Sequence, residues 1–257
     1  MSVVISSLRG IGEIRAGDSV AEAILQGIER SPVEPAQGDI CVVSSKIISK
    51  AEGRRRRLRE VEINDEAKLI AKRCRKDARI VQCILDESIA VSRVKAEVLI
   101  TRHRLGFISA NAAVDTSNVG EGEAVLLLPE NPAESAEVIY EALAQALGFG
   151  VPIIISDSHG RPFRYGTVGV ALACFGLNAL RDYRGTRDLD NHELETTEVA
   201  LADQLATAAD LVAGQGDEGT PVTWFQGVTA DSGLHDRANA KDTVESLLRD
   251  PEKDLYA

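Results

Sequence analysis

Residues 111–118 read Asn-Ala-Ala-Val-Asp-Thr-Ser-Asn, and residues 155–164 read Ile-Ser-Asp-Ser-His-Gly-Arg-Pro-Phe-Arg. Each segment follows an apolar run that reads as a buried strand. Each then sets one aspartate, Asp115 or Asp157, among small hydroxyl residues, and the second adds a glycine and two arginines. Carboxylate and hydroxyl oxygens ligate hard divalent cations, while guanidinium groups clamp phosphoryl oxygens with paired hydrogen bonds. The chemistry these residue types suit is a metal–phosphate complex, and hence nucleotide-dependent transfer.

Each motif also has an ordinary structural use. Asp115 could hold a divalent cation while Asn118, three residues on, meets a ligand; the same residues also make a turn that satisfies its own backbone. Asp157, at the C-terminal end of the strand expected over 152–156, stands beside Ser158, Gly160 and Arg161 and could bind metal and phosphate together. Arg161 and Arg164 could clamp phosphoryl oxygens, or they could be solvated arginines on a tight turn. Residues 44–53 carry two lysines and three serines after another strand, suited to phosphates or to an exposed strand end. The basic run 54–59 reads as a solvated turn or helix face, or as a landing surface for an anionic substrate. The glycine-rich, acidic loop 214–219 would let backbone amides approach a phosphate while Asp217 or Glu218 faces a metal, and it also suits a helix C-cap. The four histidines have no metal-ligand spacing, although His159 lies inside the second segment. No GxxxxGK[ST] loop, GxGxxG fingerprint or nucleophile elbow occurs, so a site here works by metal and electrostatics.

Composition bounds the alternatives. The chain has 257 residues, 44% apolar and 27% charged, enough for one large domain or two intimate ones with a substantial core. A net charge of −11 argues against general nucleic-acid binding, which needs basic surface. It also means that a nucleoside phosphate would need local cations, from basic side chains or a divalent metal. The apolar runs are too short to span a bilayer, and the N-terminus lacks a signal peptide's basic region and long apolar stretch, so no membrane partner is expected. Four cysteines far apart, with no CxxC pair, read as free thiols in a reducing cytoplasm.

The elements that must position these groups follow from periodicity and capping. Strands are expected over 3–7, 39–44, 125–128, 152–156 and 221–225, and as a pair over 98–101 and 106–109. Residues 9–17 form a glycine-punctuated loop. Ser19 to Glu22 matches a capping box and opens a helix to about Ile28. Asn64 caps a helix, and a second short one covers 78–85. Asn131-Pro132 starts a helix that runs to about Leu147 and stops at Gly148. Residues 166–175, rich in glycine, alanine and valine, should pack closely against other backbone. Asp190 to Glu193 is a second capping-box match, from which the longest helix should run, with Leu194, Leu201, Leu205, Ala208 and Val212 on one stripe, to Gly214. The charged tail from Asp236 has room for one terminal helix. Strands and helices mix without strict βαβ alternation, so a doubly wound sheet is not expected.

Taken together, the segments resemble the F420-0:γ-glutamyl ligase family. Residues 49–54, 111–118, 157–164, 182–194 and 214–221 match in order and spacing, and the resemblance reaches from Gly10 to about Gly227. It implies amide ligation: GTP phosphorylates the terminal carboxylate of the coenzyme F420 precursor, the amino group of L-glutamate attacks the acyl phosphate, and a further glutamate is added through the γ-carboxylate. It implies Asp115, Asp157 and Ser158 as ligands of magnesium or manganese, with Gln215 near a second metal and potassium as a monovalent companion. The nucleotide would lie against Gly12, Glu13, Ile14, Arg15, Ser45, Lys46, Lys50, Asn118 and the loop carrying Gly216 and Asp217. Lys50 and Arg161 would stabilise transferred charge. The implied fold is a mixed α/β (α+β) arrangement particular to the family. It forms one catalytic unit over 1–257, with scope for two intimate subdomains, an intertwined homodimer and no nitroreductase-like C-terminal domain. The chain departs from the family pattern at Gln215, where a glutamate is common, at Asn191 and Ala113 in place of glycines, and at Ser158 in place of threonine. A related ligase acting on another carboxylate, or a nucleotide-binding protein without catalysis, are the rival readings.

Overall fold

The computed structural model describes residues 2–117, 123–228 and 244–253. Its elements in chain order are β1 (Val4–Ser7), α1 (Val20–Glu29), β2 (Ile40–Ser44), α2 (Ser45–Ala51), β3 (Arg55–Arg57), α3 (Asp65–Cys74), α4 (Ala78–Asp86), β4 (Ser88–Lys95), β5 (Val98–His103), β6 (Ile108–Ala110), β7 (Ala124–Leu126), α5 (Pro132–Leu147), β8 (Ile153–Arg161), β9 (Arg164–Phe175), β10 (Leu180–Asp182), β11 (Glu198–Ala200), α6 (Leu201–Ala213) and β12 (Val222–Gln226). The result is a mixed α/β architecture, as expected.

The central sheet has the order β1-β12-β2-β8-β9, antiparallel except for the parallel pair β2 and β8. Those two strands begin as unbroken apolar runs because both faces are buried. Cys41, Val43, Ile153 and Ile155 face α1, α2 and α5, where Ile24, Ile48, Ile139 and Leu143 meet them. Their neighbours Ile40, Val42 and Ile154 point the other way, onto Leu201, Leu205 and Ala209 of α6. A smaller body packs α3 and α4 against the β4-β5-β6 sheet around Ile70, Val81, Ile84 and Leu99. The β3–β7 pair lies beside it.

Local signals place several helices. Ser19 Oγ accepts from Glu22 N at 3.2 Å, Asn64 Oδ1 from Ala67 N at 2.7 Å, and Asn131 Oδ1 from Glu134 N at 3.3 Å. Gly148, at φ 82, closes α5 in the left-handed conformation. The hairpin of β5 and β6 pairs Thr101 with Ser109. Close packing of the glycine-rich strand is also seen: a Cβ on Gly169 would run into the Ala206 carbonyl of α6. Thr207 Oγ1 donates to Gly169 O at 2.8 Å, and Asp203 Oδ1 accepts from Ala171 N at 2.9 Å beside a one-residue bulge in β9.

Four expectations need correction. Residues 45–51 are a helix, not a strand end. Ser44 closes β2 and its Oγ accepts from Lys46 N, so the chain turns into helix at once despite Ile47 and Ile48. The basic run is neither turn nor helix face at its centre, but strand β3 paired with β7. Strand β8 continues to Arg161, so Asp157 and Ser158 lie within a strand, and the hairpin turns beyond them with Phe163 at φ 57. The Asp190 capping box starts no helix. Asp188 Oδ1 takes the amides of Asp190 and His192 at 3.0 and 2.8 Å, Asn191 is left-handed at φ 66, and helix begins only at Leu201 after β11. The longest helix among the described residues is therefore α5. Strand β4 carried no readable alternation and was not expected. The tail shows two short 3-10 turns, Val244–Leu247 and Pro251–Lys253, while the expected start at Asp236 falls outside the described residues.

An ion-pair network joins the smaller body to the chain entering α5. Glu87, buried between α4 and β4, accepts from Arg54 at 2.8 Å and from Arg104 at 3.0 Å. Arg54 also pairs with Glu130, and both arginines reach the carbonyls of 128–130. Burial alone would push the Glu87 carboxyl up; the His103 contact and the two guanidinium charges outweigh it and bring the pKa down to about 2. His103 Nε2 stands 3.5 Å away, at the limit of a hydrogen bond, so the arginines carry most of that compensation. Glu87→Gln should destabilise the protein by roughly 3 kcal/mol in urea unfolding at neutral pH, because two half-buried guanidinium groups lose the buried carboxylate they share, and Arg104 keeps only carbonyl partners. The folded pKa lies below the ordinary 4.5, so the contribution of Glu87 is whole above that value and is lost as the pH falls toward about 2. The stabilities of wild type and variant should converge over that window.

Candidate functional site

Parallel strands β2 and β8 run side by side to Ser44 and Ser156, and the chain leaves β2 directly into α2. At this end of the sheet a cavity of about 720 Å³ opens. Its lining includes Asp115, Asp157, Ser158 and Gln215, the four expected metal-site residues. Gly12, Glu13 and Ile14 border it from the loop before α1, Lys46 and Lys50 from α2, and Gly216 and Asp217 from the loop after α6. Three other expected residues stand apart from the lining. Arg15 is exposed and pairs with Glu13 at 3.4 Å. Ser45 is buried behind the cavity. Arg161 donates to Tyr165 O at 3.1 Å, across the outer end of the β8–β9 hairpin. Asn118 lies outside the described residues.

Asp115 is brought in by strained backbone. Asn111, Ala112 and Ala113 are consecutive left-handed residues, at φ 54, 50 and 52. Asn111 Oδ1 anchors that turn to Leu99 N at 3.1 Å, and the Asp115 backbone then pairs with Leu126 in both directions. Lys46 Nζ lies 2.7 Å from Asp115 Oδ2, while Ser117 gives its amide and hydroxyl to Oδ1, each at 2.7 Å. Burial would raise the Asp115 pKa, but the Lys46 ammonium and the Ser117 donors hold it below the usual aspartate value.

Asp157 is held at both oxygens. Ser45 Oγ donates to Oδ1 at 3.0 Å, and His159 Nε2 meets Oδ2 at 3.1 Å. The His159 ring leans on Phe107, which stacks on His103, with centroids 4.9 Å apart in each contact. Next along the strand, Ser158 Oγ lies 3.1 and 3.2 Å from the two oxygens of Asp210, and Gln215 Nε2 lies 2.6 Å from Asp210 Oδ1 and 3.0 Å from Ser158 Oγ. Burial, with the nearby Asp157 charge adding to it, raises the Asp210 pKa against the pull of its Ser158 and Gln215 donors. In the last loop, Glu218 folds back so that its carboxylate accepts from Gly216 N at 2.8 Å. The amide expected to meet a phosphate already holds an anion from its own loop.

Among the described residues, six carboxylates (Glu13, Asp115, Asp157, Asp210, Asp217 and Glu218) therefore line the cavity against two ammonium groups (Lys46 and Lys50). Such a field repels a bare phosphate and attracts a cation. Carboxylate, hydroxyl and amide oxygens fit a hard divalent ion such as magnesium or manganese, and among the described residues no thiol or imidazole lines the cavity to favour a softer one. A cavity of about 890 Å³ opens elsewhere, between α1, α2 and α5, but its acids are engaged in the fold. Glu130 pairs with Arg54, and Glu52 accepts from Glu130 N and Ser135 Oγ, each at 2.7 Å. The chemistry thus gathers in the smaller cavity.

Sequence reading missed Asp210, the Ser45–Asp157 contact and the inward turn of Glu218. Asp210 left one trace: it is an acid in the last turn of a helix, where the dipole disfavours negative charge. The Ser45–Asp157 contact spans 112 positions and depends on folding alone, whereas the Glu218 turn is a contact two residues long.

A family model for F420-0:Gamma-glutamyl ligase matches residues 10–227. The chain is 41% identical over 256 residues to the coenzyme F420:L-glutamate ligase of Methanothermobacter thermautotrophicus, covering 100% of this chain and 99% of that protein. It is also 41% identical to the ligase of the same name from Methanopyrus kandleri, over 95% of this chain and 93% of that one. The similarly named protein of Methanocaldococcus jannaschii is 42% identical over 89% of this chain and 88% of its own length.

Lys46→Met should raise the Asp115 pKa, because the ammonium is the foremost group opposing the burial of that carboxylate. A carbon-13 NMR titration of the aspartate carboxyls reads the shift directly; an unmoved Asp115 would show that the ion pair does not persist in solution.

Proposed function

The chain belongs to the F420-0:gamma-glutamyl ligase family, and from that membership we propose that it joins L-glutamate to the coenzyme F420 precursor, with GTP as phosphoryl donor and a divalent metal at the site. The observation that carries this reading is the convergence of Asp115, Asp157, Ser158 and Gln215 on one cavity in which carboxylates outnumber cations. A carboxylate is a poor electrophile until one oxygen becomes a phosphate leaving group, so the ligation passes through an acyl phosphate that the glutamate amine attacks. Phosphoryl transfer of this kind asks for positioning and charge neutralisation, with no protein nucleophile.

Asp115, Asp157, Ser158 and Gln215 would hold magnesium or manganese. When bound, the ion would supply neutralisation of phosphate charge. The chain's own residues do the rest. Ser45 and His159 orient Asp157. Lys46, which faces Asp115, and Lys50, one turn further along α2, offer ammonium groups to phosphate oxygens. The loop amides around Gly216 become donors once Glu218 yields its place.

The reading extends to a single catalytic unit working as a homodimer in a reducing cytoplasm. Fully exposed Phe163, Tyr165 and Leu189 support a partner surface near the β8–β9 hairpin and the 183–197 excursion, and four buried free cysteines suit that compartment. Arg161 does not line the cavity of its own chain, so a charge-stabilising role for it requires the partner's cavity.

Purified protein incubated with precursor, GTP, manganese, potassium and L-glutamate should yield glutamylated product with equal amounts of GDP and phosphate. Turnover of a different carboxylic acid alone would select a related ligase. Stabilisation by GTP without phosphate release would select a binding protein. Asp157→Asn should lower turnover by more than about a hundredfold, which corresponds to about 3 kcal/mol of transition-state charge stabilisation.

A further inference from the structure

We propose that Asp210 is a positioning residue of the cation centre, holding the Ser158 hydroxyl and the Gln215 amide so that their oxygens face the cavity. This rests on the metal-dependent ligase reading and goes beyond its ligand set.

The geometry of the three groups leaves little choice of orientation. Gln215 places its terminal amide 2.6 Å from Asp210 Oδ1. A carbonyl oxygen at that separation would be repelled by the carboxylate, so the NH2 end faces Asp210 and Oε1 is turned away from it. Ser158 has one proton to donate, and both Asp210 oxygens lie within 3.1 and 3.2 Å of its Oγ. With that proton committed to Asp210, and one lone pair accepting from Gln215 Nε2 at 3.0 Å, the remaining lone pair of Ser158 can serve only as an acceptor, which is what a cation requires. One carboxylate thereby sets the facing of two neutral ligands.

The placement of Asp210 is poor for folding. It sits in the last turn of α6, where the helix carbonyls already carry partial negative charge. It shares the cavity with Asp157, whose charge acts against its own. A group kept where both the helix and its neighbour disfavour it points to service for a positive ligand.

Manganese titration of the full chain without nucleotide, read by electron paramagnetic resonance, tests this alongside the melting temperature of the metal-free protein. Asp210→Asn should weaken manganese binding about tenfold to a hundredfold, in the range for outer-shell partners of metal ligands. Its metal-free melting temperature should equal or exceed that of wild type, since like-charge repulsion within the cavity is reduced. In a chain already carrying Ser158→Ala and Gln215→Ala, adding Asp210→Asn should change affinity by less than about threefold, because residues that act through one another are not additive. A full effect in that background would make Asp210 a direct ligand and overturn the positioning role. A lower melting temperature, or failure to fold, would assign Asp210 to the scaffold, and unchanged manganese affinity would likewise overturn the proposal. Absence of manganese binding by the wild type would instead remove the metal-dependent reading itself, so the two failures are distinguishable.

Discussion

Carboxylates gathered into one cavity repel one another, and the fold answers that repulsion group by group. Asp115 has Lys46 and Ser117, Asp157 has Ser45 and His159, Asp210 has Ser158 and Gln215, and Glu218 has the Gly216 amide. These four are held by donors from the protein, yet the total among the described lining residues remains negative. The donors make the cluster compatible with folding, and the surplus leaves a negative field of the kind a cation would relieve. Weaker compensation would make the cluster a larger burden on stability, and stronger compensation would leave a cation no reason to bind.

This arrangement needs a rigid frame, because the groups come from five separate stretches of chain. Buried on both faces, β2 and β8 fix Ser44 and Ser156 at one level, and α2 starts without an intervening loop. On the opposite face Gly169 allows α6 to lie against β9, and Asp203 and Thr207 bind the backbone of that strand. Asp210 and Gln215 are positioned at the end of the same helix. The Asp115 turn belongs to the stretch after β6, against the smaller body. Its placement depends on the Leu126 backbone pairing and on the Glu87 network that ties that body to the α5 entrance.

Family membership and site chemistry bear on this chain at different levels. The first rests on similarity along nearly the whole chain. The second rests on oxygen donors and two lysines converging on one cavity. The neutral Gln215 gives the second line its particular form: an amide oxygen adds a donor without adding charge, and the adjacent Asp210 supplies a carboxylate.

Local physics made part of this molecule legible from sequence. Ser19, Asn64 and Asn131 cap their own helices within three residues, and the apolar runs at 40–43 and 153–155 are buried strands because nothing polar interrupts them. Asp115 and Asp157 stood out because carboxylates followed apolar runs. Local signals also misled. The capping box at Asp190 lost its amides to Asp188, and Ile47 and Ile48, β-branched like strand residues, lie in a helix whose packing against the sheet outweighs their preference. Residue types, capping and the pairing of strand with aspartate were thus determined by the sequence alone, since they depend on atoms a few residues apart. Which carboxylates share a cavity, that Lys46 reaches Asp115 and Ser45 reaches Asp157, and that Asp210 meets Ser158 were decided only by tertiary structure, because those interactions act through space between residues roughly 50 to 110 positions apart.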